Sequence, residues 1–315
     1  MRTHLATNRR RTAAVGVTAA LALTLAACGG NADDGGNAGG GDDGGDGGGS
    51  EDKGTITLGY IPSWTDGLST AYLLENQLEA AGYTVEHQEI SDAGVLYTAL
   101  AEGDVDIYPS AWPEVTHADY MDKYGDRIVD LGTYYDNAKL TFAVPEYTDI
   151  DSIADLPDNV EMFDGRVVGI EPGAGLTDAT QNSVFPTYGL EEAGYTLQTS
   201  STTAMLTELE TAIQAEEDIV VTLWRPFWAN SEYPVKDLED PEGALGESEG
   251  LHFLGTQGFS DEFPEVSEWI GEIKLDDEQY GSLEQTVAVE NEDDPAAGVE
   301  AWLENNGDVL PELQG

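Results

Sequence analysis

Residues 107–117 read Ile-Tyr-Pro-Ser-Ala-Trp-Pro-Glu-Val-Thr-His. Their apolar beginning continues a β-strand that starts near Asp104, and Pro113 stands where a helix can begin. Trp112 and His117 are therefore expected at the mouth of one strand-to-helix turn. Ligands of open α/β sheets bind at such strand ends, so the stretch predicts a binding site.

Two other segments are built in the same way. Residues 56–64 run from a strand into a proline and a tryptophan, and residues 219–226 run from a strand into a tryptophan and a proline. Trp64, Trp112 and Trp224 thus end three separate strands, which is the arrangement that an aromatic cage for a cation requires. A single tryptophan is more often a core residue, because its ring buries a large apolar area, but the shared position favours the cage.

The hydropathy pattern around these segments predicts an α/β protein of two lobes. Residues 55–143 contain a β-α-β-α-β pattern of lobe I, and the pattern restarts in residues 144–248 as lobe II. Residues 249–315 contain a returning strand and helical segments that we expect to pack on lobe I. Two crossings between the lobes predict a hinge with a ligand cleft between them.

The N-terminal residues 1–27 have the features of an export signal, since arginines precede an apolar run too short to span a bilayer. The run ends in Leu-Ala-Ala-Cys, which resembles a bacterial lipobox, and we expect Cys28 to become a lipidated first residue. An unmodified signal peptide cut nearby is the alternative. Cys28 is the only cysteine, so no intramolecular disulfide can form. Residues 28–54, rich in Gly and Asp, predict an acidic tether that holds the body at the outer face of the cell membrane.

The chain is strongly acidic. Four of its 12 basic residues precede Cys28, so the remainder carries 62 acidic against 8 basic residues, a formal net charge of -54. Such a surface repels nucleic acid and anionic lipid, and we interpret it as a solvated coat suited to a saline exterior. The alternative with a specific role for the acidic residues is a calcium-binding protein, but no Asp-x-Asp-x-Asp-Gly loop with its terminal Glu is present. We predict no metal and no cofactor.

Residues 171–178, Glu-Pro-Gly-Ala-Gly-Leu-Thr-Asp, follow a predicted strand and open a helix. Their glycines allow a ligand to approach the main chain, and the free N–H groups of a first helical turn suit an anion. An ordinary tight turn explains the glycines equally well. The segment is not a phosphate loop, because no Gly-Lys-Ser/Thr follows it.

The sequence gives little support for catalysis. It contains no cysteine in the body and no His-Glu-x-x-His pair, so we predict a protein that is not an enzyme. His117 shares its turn with Trp112, but the residues alone leave a ligand contact and a helix-surface or capping role equally open.

Three motifs together resemble, in this order along the chain, the extracytoplasmic glycine betaine-binding lipoproteins of ABC uptake systems for compatible solutes. They are Ser110-Ala111-Trp112-Pro113-x-x-Thr116-His117, Gly169-Ile170-Glu171-Pro172-Gly173-Ala174-Gly175 and Ile219-Val220-Val221-Thr222-x-Trp224-x-Pro226-x-Trp228. The resemblance covers the body from Thr55 onward. It implies a two-lobed periplasmic-binding-protein fold, type II-like, that closes on a zwitterion and serves a separate permease and ATPase.

The resemblance also assigns residues. It implies a quaternary-ammonium cage of Trp64, Trp112 and Trp224, with the ligand carboxylate on the main-chain N–H groups of Gly175 and Leu176 and on His117. Arg225 and Phe227 depart from the family pattern beside Trp224, which leaves the ligand range open. Glycine betaine or proline betaine is the leading expectation, and choline is the alternative. A surface-anchored hydrolase or adhesion module is the alternative from another class.

Overall fold

The computed structural model describes residues 53–313. The predicted signal peptide, Cys28 and nearly all of the predicted tether lie outside these residues. Among the described helices, none combines the length and the apolar character needed to cross a membrane.

Lobe I begins as a β/α alternation, as the sequence predicts. Its elements are β1 (Thr55–Tyr60), α1 (Thr65–Ala80), β2 (Thr84–Glu89), α2 (Ala93–Glu102), β3 (Ile107–Ala111), α3 (Ala118–Tyr124) and β4 (Ile128–Pro145). Local chemistry fixes both ends of α2: the Asp92 side chain accepts the Val95 N–H at its start, and Gly103 ends the helix in the left-handed region.

The elements of lobe II are β5 (Arg166–Val168), α4 (Gly175–Ala179), α5 (Phe185–Tyr188), α6 (Leu190–Ala193), β6 (Thr196–Gln198), α7 (Thr202–Ala215), β7 (Val221–Arg225), α8 (Ala229–Glu232) and β8 (Val235–Asp237). Most of them are shorter than those of lobe I, with the exception of α7. A π-helical turn, Thr180–Val184, joins α4 to α5, so helical chain is continuous from Gly175 to Tyr188.

The chain then returns to lobe I. The returning elements are β9 (Glu249–Thr256), α9 (Phe259–Glu262), α10 (Pro264–Glu272), α11 (Asp277–Glu284) and α12 (Pro295–Asn306). Helices α11 and α12 pack on α1, and α10 packs on β4.

The described strands follow the order β2-β1-β3-β9-β4-β7-β5-β6, with β8 paired to β4. Strand β1 is parallel to β2 and β3, whereas β9 lies antiparallel between β3 and β4. Strand β4 pairs with β9 as far as Ala138 and with β7 from Lys139 onward. Residues 139–143, the last of the range predicted for lobe I, thus pair with a strand of the range predicted for lobe II. A long apolar strand looks the same in one sheet or two, so hydropathy alone does not reveal the switch of partner.

Strands β1, β3 and β7 bring their carboxyl ends to the cleft between the lobes. Trp64 follows β1, Trp112 follows β3, and Trp224 is the last residue but one of β7. All three indoles are buried.

Candidate functional site

All six predicted ligand-binding residues line one pocket between the lobes. The complete lining is Trp64, Asp66, Trp112, Thr116, His117, Leu140, Ile170, Ala174, Gly175, Leu176 and Trp224. The lining contains three indoles, one acidic side chain and no Lys or Arg. Such a pocket can surround an apolar cation and has no ammonium or guanidinium to hold an anion.

Asp66 is an addition to the predicted site. It lies in the first turn of α1, is 3% exposed, and accepts hydrogen bonds at Oδ2 from Trp112 Nε1 (3.1 Å) and Ser110 Oγ (2.8 Å). Ser110 Oγ also lies 2.8 Å from Tyr134 Oη. Burial raises the pKa of Asp66, while the hydrogen bonds from Trp112 and Ser110 act in the opposite direction. The carboxyl therefore fixes the Trp112 ring and gives the pocket its acidic character.

His117 is buried, and its side chain does not cap α3. Its Nδ1 lies 3.3 Å from the main-chain N of Trp112 and 3.0 Å from Tyr97 Oη. A main-chain N–H can only donate, so Nδ1 is the acceptor and the ring proton lies on Nε2. Burial lowers the pKa of His117 to about 3, which keeps the imidazole neutral at pH 7. His117 thus has the form of a neutral N–H donor at the pocket wall.

Glu249 shapes the turn that carries His117, and sequence reasoning missed it. Its carboxylate accepts the main-chain N–H groups of Glu114 (3.1 Å), Val115 (3.0 Å) and Thr116 (2.9 Å), together with the Thr116 hydroxyl (2.5 Å). These bonds hold residues 113–117 as a turn, and α3 begins at Ala118 rather than at Pro113. A glutamate at the start of the mostly apolar, buried strand β9 is the only sequence signal for this role.

Gly175 and Leu176 open α4 on the lobe II side. The N–H groups of a first helical turn have no partner within the helix, so they are available to an anion. Gly175 also meets lobe I closely: a Cβ on this residue would lie 2.1 Å from the Thr116 carbonyl oxygen. Only glycine allows this approach of the two lobes.

The two departures from the family pattern have separate explanations. Arg225 forms a bidentate ion pair with Asp237, at 2.6 and 3.0 Å, and is not among the residues that line the pocket. Phe227 stacks on Trp224 with ring centroids 4.1 Å apart. Arg225 therefore brings no charge into the pocket, and Phe227 packs against the Trp224 ring.

Comparison with known proteins identifies the family of the chain. Residues 54–305 match the model of a family described as the substrate binding domain of ABC-type glycine betaine transport systems. The glycine betaine/carnitine transport binding protein GbuC of Listeria monocytogenes is 32% identical over 150 residues. That match covers 48% of this chain and 49% of the Listeria protein, so the chain spans about half of that relative's length.

Two solved structures are similar over nearly their whole length. The glycine betaine/L-proline-binding protein ProX of Borrelia burgdorferi has a TM-score of 0.76 and 28% identity, covering 83% of this chain and 97% of that one. Lactococcal OpuAC, closed around glycine betaine, has a TM-score of 0.73 and 28% identity, covering 81% and 96%. The two-lobed periplasmic-binding-protein fold predicted from the sequence is confirmed. The family match sets aside the hydrolase and adhesion alternatives, and the chain belongs to the family of substrate-binding domains of ABC-type glycine betaine transport systems.

Proposed function

We propose that this protein captures glycine betaine, or the related proline betaine, for an ABC importer. The trimethylammonium group would lie among Trp64, Trp112 and Trp224, beside the Asp66 carboxyl. The ligand carboxylate would accept the Gly175 and Leu176 N–H groups and the Nε2–H of His117, in a set of contacts that spans both lobes.

The chemistry of the ligand explains why these groups are needed. A trimethylammonium group has no N–H to donate, so hydrogen bonding cannot select it, whereas electron-rich ring faces attract it. Each well-placed ring contributes roughly 0.5–2 kcal/mol. Three rings would supply a few kcal/mol, or about two to four decades of affinity. Neither lobe holds the whole ligand, so binding favours the closed state.

One observation carries the proposal: three indoles, a neutral histidine and a helix start meet in a single pocket without basic side chains. Calorimetric titration of the purified protein with glycine betaine at high salt, competed with choline, tests it. We expect saturable binding that choline does not displace. Unchanged affinity in both Trp112→Ala and Trp224→Ala would overturn the cage assignment.

Choline is the second candidate, and Asp66 is the observation that favours it, because an acidic lining suits a ligand with a net positive charge. Choline lacks the carboxylate, so the α4 N–H groups would contribute little to its binding. His117→Ala should accordingly change its affinity little. The same competition experiment decides between them: a strong preference for choline over glycine betaine replaces the leading proposal.

We also propose that Cys28 carries the lipid that anchors the protein to the outer face of the membrane, where a permease, driven by a separate ATPase, receives its ligand. We further propose that residues 55–143 and 249–315 form lobe I of the anchored body and that residues 144–248 form lobe II. Cells expressing Cys28→Ala should release the protein from the membrane fraction, and retention of that variant contradicts the anchor.

A further inference from the structure

The carboxylate of Glu171 contacts both lobes. On lobe II its Oε1 accepts the Thr202 main-chain N–H at 2.8 Å, and its Oε2 accepts the Thr202 hydroxyl at 2.9 Å. On lobe I, Ser63 Oγ donates to Oε1 at 3.3 Å and Trp64 Nε1 donates to Oε2 at 3.4 Å. Glu171 therefore joins the predicted cage ring Trp64 to the opposite side of the cleft.

The lobe II contacts hold the carboxylate firmly. Thr202 is the first residue of α7, a helix of 14 residues, and the start of a helix favours a negative charge. Both contacts to Thr202 are short, while both contacts to lobe I lie at the long end of hydrogen-bond distances. When the lobes separate, we expect the carboxylate to remain with α7 and to lose Ser63 and Trp64.

Trp64 differs in this respect from Trp112. The Trp112 indole donates to Asp66 within its own lobe, so its ring is fixed whether the lobes are open or closed. The Trp64 indole has its acceptor on lobe II, and its ring stacks over His117 at 6.1 Å with planes 14° apart. The Trp64 ring therefore has all of these contacts only when the lobes are closed.

We infer that Glu171 is a positioning residue that locks Trp64 into the cage when the lobes close. The inference rests on the proposed function, because it takes Trp64 as a cation-binding ring. Ligand first meets open lobes, where the contact is absent, and leaves only after the contact breaks. Loss of Glu171 should therefore accelerate dissociation and leave association nearly unchanged.

A double-mutant cycle with stopped-flow kinetics of glycine betaine binding tests the role. We expect Glu171→Gln to raise the dissociation rate about three- to tenfold and to change the association rate less than about twofold, as expected for a charged but long hydrogen bond. Trp64→Phe keeps a ring but has no indole N–H. In the Trp64→Phe background, Glu171→Gln should raise the dissociation rate by less than about twofold, because the indole N–H that it binds is already absent.

The exposed Glu191 on α6 of lobe II provides the matched control, since Glu191→Gln removes one charge without an interlobe contact. Its kinetics should match those of the parent. Unliganded melting temperatures complete the set. If Glu171 had only a structural role, Glu171→Gln would lower the unliganded melting temperature. It would then also change the dissociation rate equally in the parent and in the Trp64→Phe variant.

The outcomes separate the two hypotheses. A dissociation rate of Glu171→Gln equal to that of the parent overturns the positioning role. Equal effects of Glu171→Gln in the parent and in the Trp64→Phe variant overturn it as well. In either case Trp112→Ala still tests the cage. Absence of glycine betaine binding by the parent overturns the proposed function, and the role of Glu171 with it.

Discussion

The two faces of the pocket are built differently. On lobe I, buried hydrogen bonds fix the side chains, with Asp66 holding Trp112 and Tyr97 contacting His117. On lobe II the lining is the main chain at Gly175, three aliphatic side chains and the Trp224 ring. Apart from Trp64, the lobe I face is thus arranged before a ligand arrives, whereas the lobe II face acts mainly by how closely it can approach lobe I. Substitutions on the two faces should therefore fail in different ways.

The largest effect is expected from Gly175→Ala, which tests only how closely the two lobes must approach each other. Its φ is not in the left-handed region, so alanine fits the fold of lobe II, but the new Cβ would lie 2.1 Å from the Thr116 carbonyl oxygen across the cleft. We expect glycine betaine affinity to fall more than about 100-fold, because the closed state supplies the contacts of both lobes. The unliganded melting temperature should stay close to that of the parent.

Gly281→Ala is the control for this substitution. Gly281 lies in α11 of lobe I, and a Cβ there meets nothing within 4 Å. Helix propensity predicts stabilisation of about 0.5–1 kcal/mol and unchanged affinity. Tight glycine betaine binding by Gly175→Ala would show that closure does not require this contact.

Trp112→Ala and Trp224→Ala compare the two faces directly. Loss of either ring removes a cation–π contact, but loss of Trp112 also deprives the buried Asp66 carboxyl of a donor. We expect calorimetric affinity to fall about 100-fold for Trp112→Ala and about tenfold for Trp224→Ala. Trp228→Ala, whose half-buried ring lies outside the pocket lining, should change affinity little. Equal losses at Trp112 and Trp224 would show that Asp66 contributes nothing through its indole partner.

Glu249→Gln tests whether the prearranged turn serves the carboxylate end of the ligand. An amide cannot accept all the N–H groups that the carboxylate accepts, so the turn before α3 should loosen. We expect affinity for glycine betaine to fall about tenfold, and affinity for choline, which has no carboxylate, to fall less than about twofold. The exposed Glu247→Gln is the control. Equal losses for both ligands would make Glu249 a general stabiliser of the lobe.

The sequence predicts the parts of the site that follow from local pattern. Strand alternation followed by a tryptophan places Trp64, Trp112 and Trp224 at strand ends, and parallel pairing of β1 with β3 brings two of those ends together. Glycines before a helix mark Gly175. The family resemblance, rather than the spacing, assigns a role to His117.

Asp66 and Glu249 could not be found in this way. Their partners are distant in sequence: Asp66 binds Ser110 and Trp112, and Glu249 binds the turn of residues 114–116. In a chain with 62 acidic residues, one buried carboxyl has no distinguishing local pattern. The same limit explains the change of partner along β4, which depends on which strands reach it in space.

The smallest effect on affinity, and a clear one on stability, is expected at Glu284 behind the lobe I face. Glu284 is buried, and it accepts a hydrogen bond from Thr65 Oγ1 at 2.8 Å. Burial, with the charge of Asp66 added to it, raises the pKa of Glu284 to about 8. A carboxyl whose pKa is higher in the folded than in the unfolded chain stabilises the fold below its unfolded pKa. That contribution is lost as the pH rises toward the folded pKa.

The melting temperature of the parent should therefore contain a component that falls from pH 5 to pH 8, and Glu284→Gln should lack it. His117 has the opposite sign, because its pKa is lowered to about 3 and its protonation in the unfolded chain costs stability as the pH drops below about 6.5. His117 is present in both proteins, so its contribution cancels in the difference between their melting curves. Glutamine can accept the Thr65 hydroxyl as glutamate does, so affinity for glycine betaine at pH 6 should change less than about twofold. Parallel melting temperatures across this pH range would mean that Glu284 titrates as an ordinary carboxyl. In that case Glu284 would be ionised at pH 7 behind the lobe I face.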